Sequence, residues 1–266
     1  MSDTPVCRRL VGRTAVVTGA GGAVGLAAAR RLASEGARVV CADVDEATGA
    51  AAAREVGGLF VHTDATDPAM VEALFDEAYE TFGSVDVAFN NAGISPPEDG
   101  SVLTTDLDAW HRVQAADLTS VFLCCRAALP YMRRHGRGSI INTASFAARM
   151  GAATSRISFT AAKGGVLAMS RELGVQFARE GIRVNALCPG PVDTPRMRGL
   201  FAEDPERAAR QLVHIPLGRF AAPEEIAAAV AFLASDDSSF VTASEFLVDG
   251  GITGAYVTPR RAPDAG

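Results

Sequence analysis

Along this 266-residue chain, short β-prone apolar runs alternate with longer stretches of helical spacing. Thr14–Thr18, Arg38–Ala42, Leu59–His62, Val85–Phe89, Ser139–Asn142, Arg183–Leu187 and Glu245–Val248 read as strands. Val24–Glu35, Asp45–Val56, Pro68–Phe82, about Leu107 to Arg134, Ser158–Arg179 and Pro223–Leu233 read as helices between them. Strands that alternate with helices pair in parallel, because each helix carries the chain back across the sheet. The pattern therefore predicts one α/β domain: a doubly wound parallel sheet of seven strands with helices on both faces, joined by right-handed crossovers. The expected domain runs over 11–254, between a tail at 1–10 and another at 255–266. The arginine-rich stretch 193–217 is its least regular part, read either as a lid or as a pair of short surface helices.

Composition narrows the function. Hydrophobic residues make up 48% of the chain, enough for a sizeable core, and the net charge of −6 leaves no basic face for nucleic acid. No run of 18 apolar residues is present, so no membrane span is expected. Five cysteines without metal or disulfide spacing read as reduced thiols in a cytoplasmic protein.

One glycine-rich turn lies where a strand meets a helix, in Thr18-Gly19-Ala20-Gly21-Gly22-Ala23-Val24-Gly25. Glycines let backbone approach a pyrophosphate, and the helix N-terminus adds unpaired N–H groups and a positive dipole end. Gly19, Gly21, Gly22, Val24 and Gly25 are the expected cofactor contacts. Asp43 ends the second strand, placed to accept hydrogen bonds from ribose hydroxyls and to repel a 2′-phosphate, which favours NAD(H) over NADP(H). The chain has a single lysine, Lys163, against 24 arginines. A compact ammonium does work at one point that a planar guanidinium does not.

These motifs, with Asn90-Asn91-Ala92-Gly93 after the fourth strand, Ser145 after the fifth and Pro189-Gly190-Pro191-Val192-Asp193-Thr194 after the sixth, resemble the short-chain dehydrogenase/reductase family. The likeness runs from about Val11 to Gly251 and implies a Rossmann-like fold. It implies that Asp64 and Ala65 meet the adenine, that Asn91, Ala92 and Gly93 line the adenosine side, and that Pro189, Gly190, Val192 and Thr194 line the nicotinamide side. It also implies that Lys163 binds the nicotinamide ribose and that Ser145 holds the substrate oxygen. A substrate pocket of Ile94, Ser95, Phe146, Met150, Arg156 and Met197 is expected, and a homotetramer, with a dimer as the alternative.

Three positions depart from the family pattern. Ala23 replaces a loop glycine. Asp117 stands where the family has an asparagine whose carbonyl holds a relay water. Phe159, four residues before Lys163 and 14 after Ser145, stands where the family has its catalytic tyrosine. Phenylalanine neither donates nor accepts a proton, and removing general acid–base catalysis costs about 10²–10⁴-fold in rate. Asp117 is the candidate relay acid, since burial raises a carboxyl pKa; the competing reading pairs it with Lys163. Three functions stay open. One is an oxidoreductase with altered proton delivery, acting on a carbonyl, alcohol, imine or alkene. Another is a dehydratase, cyclase or isomerase using the same pocket. The last is a catalytically silent NAD-binding protein. Tyr→Phe is also the usual engineered way to disarm such a site, but Asp117 and Ala23 point to natural drift.

Overall fold

A computed structural model describes residues 8–151 and 154–254. In chain order the elements are β1 (Thr14–Thr18), α1 (Ala23–Ser34), β2 (Arg38–Asp43), α2 (Glu46–Val56), β3 (Leu59–His62), α3 (Pro68–Phe82), β4 (Val87–Asn90), α4 (Leu107–Gln114), α5 (Ser120–His135), β5 (Gly138–Thr143), α6 (Ile157–Gln176), β6 (Ile182–Pro189), α7 (Pro195–Glu203), α8 (Pro205–Leu212), α9 (Pro223–Ala234) and β7 (Glu245–Val248). The strands form one parallel sheet in the order β3-β2-β1-β4-β5-β6-β7, with Val16 opposite Val40 on one side and Ala88 on the other. Chain direction across the sheet reverses between β1 and β4, and open α/β folds bind ligands at that switch point.

The central strands are buried on both faces, as their unbroken apolar runs require. One core layer packs α3, α5 and α6 on the sheet through Phe75, Leu129 and Val166. The other packs α1, α2 and α9 through Leu32, Ala53 and Val230. Helix ends carry their own signals. Asp45, Asp67 and Asp106 accept backbone N–H groups as N-caps, and Gly57, Gly83 and Gly136 close helices in the left-handed conformation.

Two features differ from the sequence reading. The helix expected from about Leu107 to Arg134 is interrupted at Ala115–Thr119 by a π turn, in which i→i+5 bonding inserts one residue and turns Asp117 into the interior. Packing begins before Val11: Leu10 is buried, and Arg9 pairs with Glu35 at 2.7 Å and with Asp237 at 2.7 Å. The irregular stretch holds two short helices, α7 and α8, the second of the two readings given for it. The tail expected at 255–266, including Tyr256, lies outside the described residues.

At the β1–α1 corner, Gly19 adopts φ +65°, and a Cβ built on Gly25 would lie 2.0 Å from the Gly19 carbonyl oxygen. Backbone meets backbone there, so no side chain can swing aside. Gly25→Ala is expected to cost about 1–3 kcal/mol of stability by overpacking, read as a lower urea midpoint. An unchanged midpoint would show that the corner can open.

Candidate active site

A cleft of about 570 Å³ opens at the carboxyl ends of β1, β2 and β4. Gly19, Gly21, Gly22, Val24, Asp43, Asp64, Ala65, Asn91, Ala92, Gly93, Ile94 and Thr194 line it, together with Thr18, Ala23, Thr48, Thr63, Ala116 and Arg196. Its floor is the N-terminus of α1, whose N-cap Gly22 brings no capping side chain. The first N–H groups of a helix have no intrahelical partner, so this end offers donors and positive potential to an anion. The Ala23 methyl lies on the cleft wall. Gly25 is buried behind the loop and serves the corner packing described above.

Two side chains set the loop. Thr18 Oγ1 accepts the N–H groups of Asn91 and Ala92 at 3.0 and 3.1 Å, and Asn91 Nδ2 donates to the carbonyls of Thr18 and Gly19. Asp43 Oδ2 accepts the Gly21 N–H at 2.8 Å while Oδ1 accepts that of Asp45 at 3.0 Å, so the carboxylate braces the loop and faces the cleft. Asp64 Oδ1 accepts from the backbone and hydroxyl of Thr66 in a tight turn on the far wall.

Ser145 caps the short turn Phe146–Ala148 after β5, its Oγ accepting from Ala147 N at 3.1 Å, and this turn packs against α6. Arg156, at the N-cap of α6, and Phe159 and Lys163 on the helix lie together. The Arg156 guanidinium lies 4.7 Å and the Lys163 ammonium 5.7 Å from the Phe159 ring centroid. Cations favour the π face of an aromatic ring. The start of α6 is held from outside by Asp99, whose oxygens accept the N–H groups of Ser158 and Phe159, each at 2.9 Å. Asp99 was not among the expected site residues; it is buried, 60 residues before Phe159, in a loop whose sequence resembles an ordinary turn.

Behind the cleft wall lie the two buried charges. Lys163 Nζ donates to the Thr143 carbonyl at 2.9 Å. Asp117 is wholly buried, and its Oδ1 accepts the Ile94 N–H at 2.7 Å. Burial pushes the Asp117 carboxyl above the ordinary aspartate range, against the pull of Lys163 and of the Ile94 N–H. Burial likewise lowers the Lys163 pKa, with Asp117 opposing. Tyr79 and Tyr131 pack with tilted rings on α3 and α5, where a hydrogen bond to Asp76 pushes the Tyr131 phenol up to about 12.

The remaining expected residues lie beyond the cleft lining. Pro189 ends β6, Gly190 packs so tightly that a Cβ would meet Asp249 Cα at 2.7 Å, and Val192 bridges to Ala221. Phe146 is half-buried, Met150 is exposed, and the Met197 N–H donates to Thr194 Oγ1 at 3.2 Å. The Ser95 carbonyl accepts from Arg196, a contact that joins α7 to the loop after β4 across the cleft mouth. Arg196 was missed because nothing local in an arginine-rich stretch marks a partner 101 residues away.

The fold and the cleft define a dinucleotide-binding α/β protein. A family model described as enoyl-(acyl carrier protein) reductase matches residues 19–253. The cis-4-hydroxycyclohexanecarboxylate dehydrogenase of Sinomonas cyclohexanicum is 48% identical over 246 residues, covering 91% of this chain and 96% of that protein. A protein of Xanthobacter autotrophicus named inactive 2-(S)-hydroxypropyl-CoM dehydrogenase 2 is 40% identical over 230 residues, 85% of this chain and 99% of that protein. The crystal structure of levodione reductase superposes with a TM-score of 0.87 at 36% identity, over 93% of this chain and all of that one. The chain belongs to the short-chain dehydrogenase/reductase family, whose dehydrogenases use a nicotinamide cofactor. Among the described residues no helix is long and apolar enough to cross a membrane.

Because folded Asp117 keeps its proton to higher pH than the unfolded chain does, the folded state binds more protons in that window and stability falls as pH rises through it. Asp117→Asn removes the group. The variant's urea midpoint should therefore pull ahead of the parent's as pH climbs from about 4, by at most about 1.4 kcal/mol per pH unit. The two should converge in acid. Parallel profiles would show that Asp117 titrates normally.

Proposed function

We propose that this protein is an NAD(H)-dependent oxidoreductase that interconverts a ring or small alcohol and its ketone. The observation that carries this reading is the cleft itself: an uncapped helix N-terminus on its floor and Asp43 on its wall, at the switch point of the sheet. These residues fit a dinucleotide. The N–H groups at the start of α1 meet the pyrophosphate, with the Ala23 methyl narrowing the approach. Asp43 accepts from ribose hydroxyls and repels a 2′-phosphate. Asp64 and Ala65 border the adenine, Asn91, Ala92 and Gly93 the adenosine side, and Pro189, Gly190, Val192 and Thr194 the nicotinamide. Lys163 holds the nicotinamide ribose. The bound nicotinamide supplies hydride transfer.

Ser145 positions the substrate oxygen through its hydroxyl. The substrate lies against Ile94, Ser95, Phe146, Met150 and Met197, with Arg156 at its polar end. Phe159 takes the position of the family's tyrosine and presents an apolar ring there, so the substrate proton must travel by another group. The relative named for 4-hydroxycyclohexanecarboxylate supports a ring alcohol as substrate. An alkene, the substrate class in the matching family model's description, asks less of a proton donor at oxygen. The second reading, a silent NAD-binding protein, is favoured by Phe159 and by the relative whose name calls it inactive.

Exposed apolar residues on α5, α6 and β7 (Phe122, Val175 and Leu247) support a homotetramer, which light scattering on the purified protein would test. Buried free thiols at Cys41, Cys124, Cys125 and Cys188 fit a reducing, cytoplasmic setting.

Restoring the phenol tests the reading. Phe159→Tyr is expected to raise the rate of ring-alcohol oxidation with NAD by about 10²-fold or more, and adding Ser145→Ala should abolish the gain. No activity in either form, with the fold intact, would favour the silent reading.

A further inference from the structure

We propose that Asp117, with Lys163 as carrier, takes up and returns the proton of the substrate hydroxyl in place of the phenol that Phe159 lacks. This role rests on the oxidoreductase reading above. Asp117 is wholly buried, and while Oδ1 is fixed by the Ile94 N–H, Oδ2 has no hydrogen-bond partner. Native interiors rarely leave a polar atom in that state, and a catalytic role is one of the few reasons to do so. Lys163 Nζ carries three protons, of which the Thr143 carbonyl takes one.

Gly93 connects the two groups to the cleft. A Cβ at this position would lie 2.5 Å from Asp117 Oδ1 and 3.5 Å from Lys163 Nζ. Only glycine lets the Asp117 carboxylate and the Lys163 ammonium approach the cleft wall this closely, since any Cβ here would collide with Asp117 Oδ1. The π turn aims Asp117 at this point, since a regular α-helix through 115–119 would place its side chain elsewhere on the helix circumference. The charged groups facing Asp117 are Lys163 and Arg156 from α6 and Asp99 from the loop before α4. Burial keeps the proton on Asp117 easier to hold than on an exposed carboxylate, and Lys163 keeps it from being held too tightly.

The step balances. In the oxidative direction the hydroxyl gives its proton to Lys163 Nζ as Lys163 passes one of its own, through a bridging water, to the Asp117 carboxylate, with which it makes no direct hydrogen bond. The lysine charge is unchanged, and Asp117 becomes a carboxylic acid. A nicotinamide bound in the cleft would accept, as hydride, the electron pair of the carbinol C–H bond, and the C–O bond would become a carbonyl. Asp117, which has no exposed surface, then returns its proton by the same path through Lys163 once the ketone has left; reduction reverses each transfer.

Asp117→Asn tests this without a folding defect, because asparagine is the family's residue here and its Oδ1 can still accept from Ile94. In the parent background the variant is expected to lose about 10²–10⁴-fold in turnover while binding NADH as before by calorimetry. In the Phe159→Tyr background it should lose only a small part of that, because the phenol takes over. Infrared spectroscopy of the parent, without cofactor, should show a carboxylic-acid band that titrates above the ordinary aspartate range and is missing from Asp117→Asn. Unchanged turnover with NADH bound, equal losses in both backgrounds, or no such band would overturn the role of Asp117 alone. Failure of the parent to bind NADH would overturn the oxidoreductase reading and this role with it.

Discussion

The architecture depends on one topological constraint. The chain leaves β1 in one direction and β4 in the other, and a cleft opens between the two loops at the carboxyl edge of the sheet. The loop after β1 must then turn sharply, which the left-handed Gly19 allows, and α1 must press on that loop, which Gly25 allows. Thr18 and Asn91 lock the loops after β1 and β4 to each other. A cleft with helix donors on its floor follows from the packing alone, before any chemistry is asked of it.

Chemistry enters through groups placed behind the cleft. α6 and its N-cap bring Arg156, Phe159 and Lys163 together, and Asp99 fixes the start of that helix by accepting two N–H groups that have no partner within it. Lys163 and Asp117 are both buried, and burial works against both charges. Their opposite signs soften the cost. With a tyrosine at 159 such a pair would assist. With phenylalanine there, the ring offers no proton, and the pair is the group we propose takes its place.

Much of this was legible in the sequence. Seven apolar runs gave the sheet its strands because parallel strands are buried on both faces and tolerate few polar residues. Asp and Pro before α2 and α3, and Gly after them, marked their ends through capping chemistry that is local. The glycine loop, Asp43 and Asn91 line one cleft because each follows a strand on the same sheet edge. The π turn at Ala115–Thr119 was not legible, since one inserted residue hardly disturbs helical periodicity. Asp99 and Arg196 were missed for a different reason: their partners are 59, 60 and 101 residues away, and only the folded chain brings them together.

The most direct measurement is a calorimetric titration of NADH into the purified protein, with NADPH as the comparison. The account predicts saturable binding of one NADH per chain, with NADPH weaker because Asp43 faces its 2′-phosphate. Binding of neither nucleotide would contradict it, and the cleft would then have to belong to a different ligand.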